Sequence, residues 1–132
     1  MLVQTELMPT SEPERMMVRF HTSVGSAVAV WRGDPFEVAG RHYIEWTVRE
    51  EILWGLNTRP TPLTEPGIRE HAGHVVLRGR LELVEEPLAV LDLGDSPVWF
   101  EIGSPPPPDG IDGTWVEITV AADKVELYPY RL

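Results

Sequence analysis

The stretch Val75-Val76-Leu77-Arg78-Gly79-Arg80-Leu81-Glu82-Leu83 sets the fold class. Val75, Leu77, Leu81 and Leu83 fall on one side of an extended chain and Val76, Arg78, Arg80 and Glu82 on the other, the period of two of a half-buried strand. Gly79 stands on the apolar side. A glycine inside a strand marks a bulge or a sharp coil, as a small barrel requires.

On the C-terminal side the same grammar continues. Glu85-Glu86-Pro87 turns the chain, residues 88–93 return as a strand, and Gly94-Asp95-Ser96-Pro97 turns it again. Val98, Phe100 and Ile102 then oppose Trp99 and Glu101. Residues 104–113 hold four consecutive prolines with Asp109, Gly110 and Asp112, a surface loop. Residues 115–120 and 125–130 read as a final hairpin across Ala121-Ala122-Asp123. This is the punctuation of a five-stranded Greek-key barrel of OB type. The fold class is therefore mostly β: a small OB-like barrel or a β-sandwich.

On the N-terminal side, residues 16–21 and 27–31 read as strands around Gly25-Ser26, and Arg32-Gly33-Asp34-Pro35 is turn chemistry. Ile44, Trp46 and Val48 alternate with Tyr43, Glu45 and Thr47 in another strand. Thr47-Val48-Arg49-Glu50 has the form of a capping box, and Val48, Ile52 and Leu56 share a helical face, so a short helix is predicted over 48–54, with a continuing strand as the rival. Residues 59–67 contain Pro60, Pro62 and Pro66 and make an extended connector. Residues 1–15 lack a sustained period and read as a flexible N-terminal arm, with a strand near Val3 left open, leaving 16–132 as a single compact β domain.

The two sides of the connector echo one another. Ala27-Val28, Gly33-Asp34, Pro35-Phe36-Glu37-Val38 and Tyr43-Ile44-Glu45-Trp46-Thr47-Val48 line up with Ala89-Val90, Gly94-Asp95, Pro97 with Phe100-Glu101-Ile102, and Trp115-Val116-Glu117-Ile118-Thr119-Val120. The echo makes 16–58 and 68–132 candidate related halves packed against each other.

Composition narrows the function classes. The 132 residues carry a net charge of −10, divided as −3 over residues 1–66 and −7 over 67–132. Such a surface repels phosphate polymers and suits a basic partner, so nucleic acid is an unlikely ligand. The absence of cysteine excludes disulfides, thiolate metal sites and a cysteine nucleophile. No stretch has the length and apolarity of a signal or membrane helix, which points to a cytoplasmic protein without membrane contact.

No catalytic motif rises above the background. Phosphate-cradling glycine motifs are absent, and Lys124 is the only lysine. His71-Ala72-Gly73-His74 has the spacing of a two-histidine metal site on a helix, but Gly73 and the strand beginning at Val75 place it in a loop. Asp109-Gly110-Ile111-Asp112-Gly113 lacks the alternating ligands of a calcium loop. No metal and no cofactor are expected, and a non-catalytic role is favoured over an enzyme.

The aromatics are the stronger lead. Trp46 shares the core-facing side with Ile44 and Val48. Trp99, Glu101, Trp115, Glu117 and Tyr128 fall on outward positions and form the expected partner-binding set, because exposed Trp and Tyr dominate contact surfaces. The leading expectation is an acidic, non-catalytic interaction protein that recognises a protein partner or a second copy of itself. One alternative is single-stranded nucleic-acid binding by stacking aromatics, with Arg69, Arg78 and Arg80 gathered into a basic stripe. The other is a small-molecule-binding barrel or enzyme.

Overall fold

The computed structural model describes residues 1–9 and 15–131. Its strands are β1 (Leu2–Leu7), β2 (Met17–Thr22), β3 (Gly25–Trp31), β4 (Gly40–Val48), β5 (Thr58–Pro60), β6 (Gly67–His71), β7 (His74–Leu83), β8 (Leu88–Asp92), β9 (Pro97–Glu101), β10 (Trp115–Ala121) and β11 (Val125–Tyr130). Two short 3₁₀ turns, Pro35–Glu37 and Ala122–Lys124, are the only helical elements among the described residues. None is long or apolar enough to cross a membrane.

Five strands close into a barrel. β1 pairs β2, β2 pairs β3, β3 pairs β11, β11 pairs β4 and β4 returns to β1. Every pairing is antiparallel except β3 with β11, where Val30 and Trp31 lie beside Glu126 and Leu127 in parallel. Closure leaves no free edge in this ring. Its interior is filled by alternate residues: Val3 on β1, Val18 and Phe20 on β2, Ala27 and Ala29 on β3, Ile44 on β4 and Leu127 on β11, all essentially inaccessible.

The remaining strands repeat that order. β7 pairs β8, β8 pairs β9, and β10 returns to β7. The fifth place is filled by residues 52–60. Ile52 bridges Ile102 in parallel just beyond β9, and β5 pairs antiparallel with β10. A turn interrupts this segment. The Asn57 side chain accepts from Leu53 N–H and donates to the Glu51 carbonyl, both at 2.8 Å, and so holds the turn closed.

Each ring thus takes its fifth member from the chain that leaves the other ring's fourth strand. β4 runs on into 52–60, and β10 runs on into β11. Where the two links cross, Arg49 N–H donates to the Lys124 carbonyl at 2.8 Å, and Ala121 N–H donates to Glu50 Oε1 at 3.2 Å. The rings share one continuous buried cluster that runs from Val3 to Leu127. β6 lies between them, pairing β7 on one side and touching β3 at Gly25–Ile68 on the other.

Several expectations are overturned. The mostly β barrel class holds, but neither ring is built from one half alone: the closed barrel joins β1–β4 to β11, and the C-terminal ring takes residues 52–60 as its fifth member. The chain across 121–123 is not a hairpin, because β11 leaves β10 and pairs with β4 and β3. No helix forms over 48–54: Arg49 N–H is taken by Lys124, Ile52 N–H by the Glu101 carbonyl at 2.9 Å, and Glu50 by Ala121. Long-range partners remove the backbone donors a helix would use. The expected arm is β1 over Leu2–Leu7, anchored by Val3 and by Thr5, whose hydroxyl donates to the Val38 carbonyl. Residues 10–14 of that arm lie outside the described residues.

The sequence echo is half in register with the structure. Tyr43–Val48 and Trp115–Val120 lie in β4 and β10, which occupy the same place in their rings. Ala27-Val28 lies in β3, but Ala89-Val90 lies in β8, one strand earlier in its ring. Phe36 is 97% exposed on a 3₁₀ turn, whereas Phe100 is buried in β9.

Candidate functional site

The pleat of β9 aims Val98 and Phe100 inward and leaves Trp99 and Glu101 outside. Trp99 is 52% exposed, the most exposed indole whose accessibility marks it as a surface group. β4 passes beside β9, and between them runs a cleft of about 520 Å³. One wall is residues 46–51; the other is Leu88, Trp99, Phe100 and Glu101. Trp46 is fixed at its base. Its Nε1–H donates to Ser96 Oγ at 3.1 Å, and its ring meets Phe20 edge-on, with centroids 5.5 Å apart. A smaller hollow of about 370 Å³ continues past Trp46 and Trp99 to Glu45, Asp95 and Tyr130.

The charge of this groove is one-sided. Arg49 is its only basic side chain, taken up by Glu126 at 2.6 Å, and the Met1 ammonium in the hollow donates to the Ile44 carbonyl at 3.3 Å. Glu50 is engaged by Ala121 N–H. Glu45, Glu51, Asp95 and Glu101 have no basic partner among the described residues. The groove therefore presents two indoles inside a rim of unneutralised carboxylates.

Behind its Arg49 end lies the most buried charged side chain among the described residues. Glu126 is 1% exposed and faces two guanidinium groups, Arg32 Nη2 at 2.5 Å and Arg49 Nε at 2.6 Å. Burial pushes the Glu126 carboxyl up, but hydrogen bonds and charge from Arg32 and Arg49 outweigh it and hold the group below its ordinary value. Tyr128 stands beside this cluster, its hydroxyl 3.4 Å from Glu126 Oε1.

The five expected contact residues do not share one surface. Trp99 and Glu101 line the cleft. Tyr128, 36% exposed, sits by the Glu126 pair. Trp115 and Glu117 lie on β10, separated from β9 by β7 and β8. Trp115 is half-buried opposite Arg80. Glu117 accepts from Arg69 at 2.9 Å and from Arg78 at 3.2 Å. Burial raises the Glu117 carboxyl, and the two arginines more than reverse this, so it too lies below its ordinary value.

The three arginines of the expected basic stripe are tied into the surface. Arg69 and Arg78 share the single carboxylate of Glu117, Arg78 Nε donates to the Glu65 carbonyl at 2.8 Å, and Arg80 donates to the Gly113 carbonyl. His71 and His74 face each other across a two-residue hairpin turn, with positive φ at Ala72 and Gly73. Both are exposed, and no group of three metal-binding side chains gathers among the described residues.

No family model, no curated protein and no solved structure matches this chain. The chemistry of the groove therefore has to carry the functional reading. The residues that sequence reasoning missed are Trp46, Leu88, Glu50 and Glu51. Glu50-Glu51 stands out in the sequence as a carboxylate pair, but Trp46 shares its parity with core residues, and only the approach of β9 makes it the floor of a cleft.

Proposed function

We propose that the protein is a non-catalytic binding module that takes a basic segment of a partner protein into the groove between β4 and β9. The observation that carries this reading is the pairing of Trp46 and Trp99 with carboxylates that lack internal counter-ions. An indole face attracts a Lys or Arg cation, and the attraction strengthens as the site is desolvated. The surrounding acids steer such a segment in from solution. Trp99 is half-exposed on a rigid strand, so it loses little conformational freedom on contact, a property shared by residues that dominate binding energy.

A titration tests the reading. An Arg/Lys-rich decapeptide and a Glu-rich peptide of equal length are each added while tryptophan fluorescence is followed. The basic peptide is expected to perturb emission with a salt-sensitive Kd. Trp99→Ala is expected to weaken binding by about tenfold or more, the scale of a contact worth at least 1.4 kcal/mol. Equal response to both peptides, or unchanged affinity in Trp99→Ala, overturns the proposal. Sedimentation of the free protein separates this reading from self-association. A dimer that dissociates in Trp99→Ala would assign the groove to a second copy and overturn the basic-segment reading.

A further inference from the structure

The opposite character appears at one mouth of the closed barrel. Trp31, 3% exposed, ends β3 there with its Nε1–H donating to the Asp34 carbonyl at 3.1 Å. His42 stacks on it at a tilt, with centroids 4.8 Å apart, and its Nε2 meets the Val38 carbonyl at 3.1 Å. Tyr43 and Tyr130 face each other directly across β4 and β11, their rings 6.1 Å apart. Gly33 lets the following loop lie flat on this floor: a Cβ there would sit 2.4 Å from Pro129 Cγ and 2.8 Å from the Trp31 ring.

These groups line an open recess of about 610 Å³. That volume falls in the range of small-molecule sites, roughly 300–1,000 Å³. Its charged lining is Arg41, Arg131 and Glu37. Glu37 pairs with Arg131 at 3.4 Å, which leaves Arg41 without an ion-pair partner among the described residues. In a chain of net charge −10, the recess is a local exception that carries an unspent positive charge beside four aromatic side chains.

We propose that this recess binds a small planar aromatic carboxylate. The ligand ring packs against Tyr43, Tyr130 and His42, with Trp31 buried beneath His42, and its carboxylate accepts from the Arg41 guanidinium. Offset or edge contacts between aromatic rings favour a flat ligand over an aliphatic one of equal size. A guanidinium presents donors in a planar fork that matches a carboxylate. The recess differs in sign from the acidic groove, which it meets at Tyr130, a wall of both.

Indole-3-carboxylate is the probe, with indole and acetate as half-probes that lack the charge or the ring. NMR of the full chain follows the Trp31 indole N–H and the His42 ring signals. Indole-3-carboxylate is expected to shift both in a saturable way, and each half-probe to bind more weakly. Arg41 is exposed on β4, and Arg41→Gln is expected to keep the native spectrum while raising Kd about tenfold, as loss of one charge-assisted hydrogen bond does. Tyr130→Phe is expected to retain binding and Tyr130→Ala to lose it. No shift at millimolar probe, equal binding of indole alone, or unchanged affinity in Arg41→Gln overturns the proposal.

Discussion

Glu126 is the one charged residue inside the protein among those described, and it explains how an acidic chain holds a carboxylate next to its core. The strand β11 places Val125 and Leu127 inward, so Glu126 must point out of the barrel, where Arg32 and Arg49 from the ends of β3 and β4 close over it. Charge-assisted hydrogen bonds contribute more than neutral ones, and Glu126→Gln is expected to destabilise the fold by about 1–3 kcal/mol. The carboxyl lies lower in the folded state than its ordinary 4.5, so its contribution is fully present above that value and is lost as pH falls through the lowered folded value. Urea titrations of wild type and Glu126→Gln across acidic pH should therefore converge at low pH; a gap that persists there contradicts this account. Little of this was legible beforehand. Alternation along 125–130 shows Glu126 to be an outward residue, but the arginines that cover it lie far away in sequence. Trp99 was legible, because its neighbours Val98 and Phe100 fix its direction locally.

At the scale of single elements, β7 shows both what local pattern reveals and where it stops. Its apolar alternation is plain in sequence, and so is the anomaly at Gly79. The structure supplies the reason. At this point β7 exchanges β6 for β8 as its neighbour, and a Cβ on Gly79 would lie 2.4 Å from the Asp92 carbonyl oxygen. Backbone cannot yield there without breaking the β7–β8 pairing. Gly79→Ala is expected to destabilise by about 1–3 kcal/mol, as overpacked sites do, and thermal melts measure it. A neutral Gly79→Ala would show that the strand coils for some other reason. The segment 48–54 taught the reverse lesson. Its capping-box letters are genuine, but the Glu50 carboxylate is taken by Ala121 N–H, and the Arg49 and Ile52 N–H groups bond the distant Lys124 and Glu101 carbonyls. β1 is faint in the sequence for a related reason: only Val3 and Thr5 face inward among its middle residues, and the threonine hides its hydroxyl in a hydrogen bond.

For the molecule as a whole, the decisive feature is the reciprocal exchange of fifth strands. Neither ring holds its core without the other's chain, so unfolding should be a single transition. Ile52 completes one ring and Leu127 the other, both fully buried. Ile52→Ala and Leu127→Ala should each cost about 2–5 kcal/mol, and each should lower the one melting temperature seen by every probe. Calorimetry that resolves two transitions, with each variant moving only one, contradicts the coupling. Sequence conveyed the β class and most strand positions. It could not convey the exchange, since a hairpin and a crossing link use the same turn residues at 121–124.

The position of β11 also bears on the order in which the protein can be made. Four staves of the first barrel, β1 to β4, leave the ribosome early, yet the fifth lies at residues 125–130. Until it emerges, β3 and β4 expose unpaired backbone of the kind that recruits stray strands from other molecules. A nascent chain of this protein must shelter an open seam from the time β4 emerges until β11 does, and a stop codon just before Val125 should give an aggregating product.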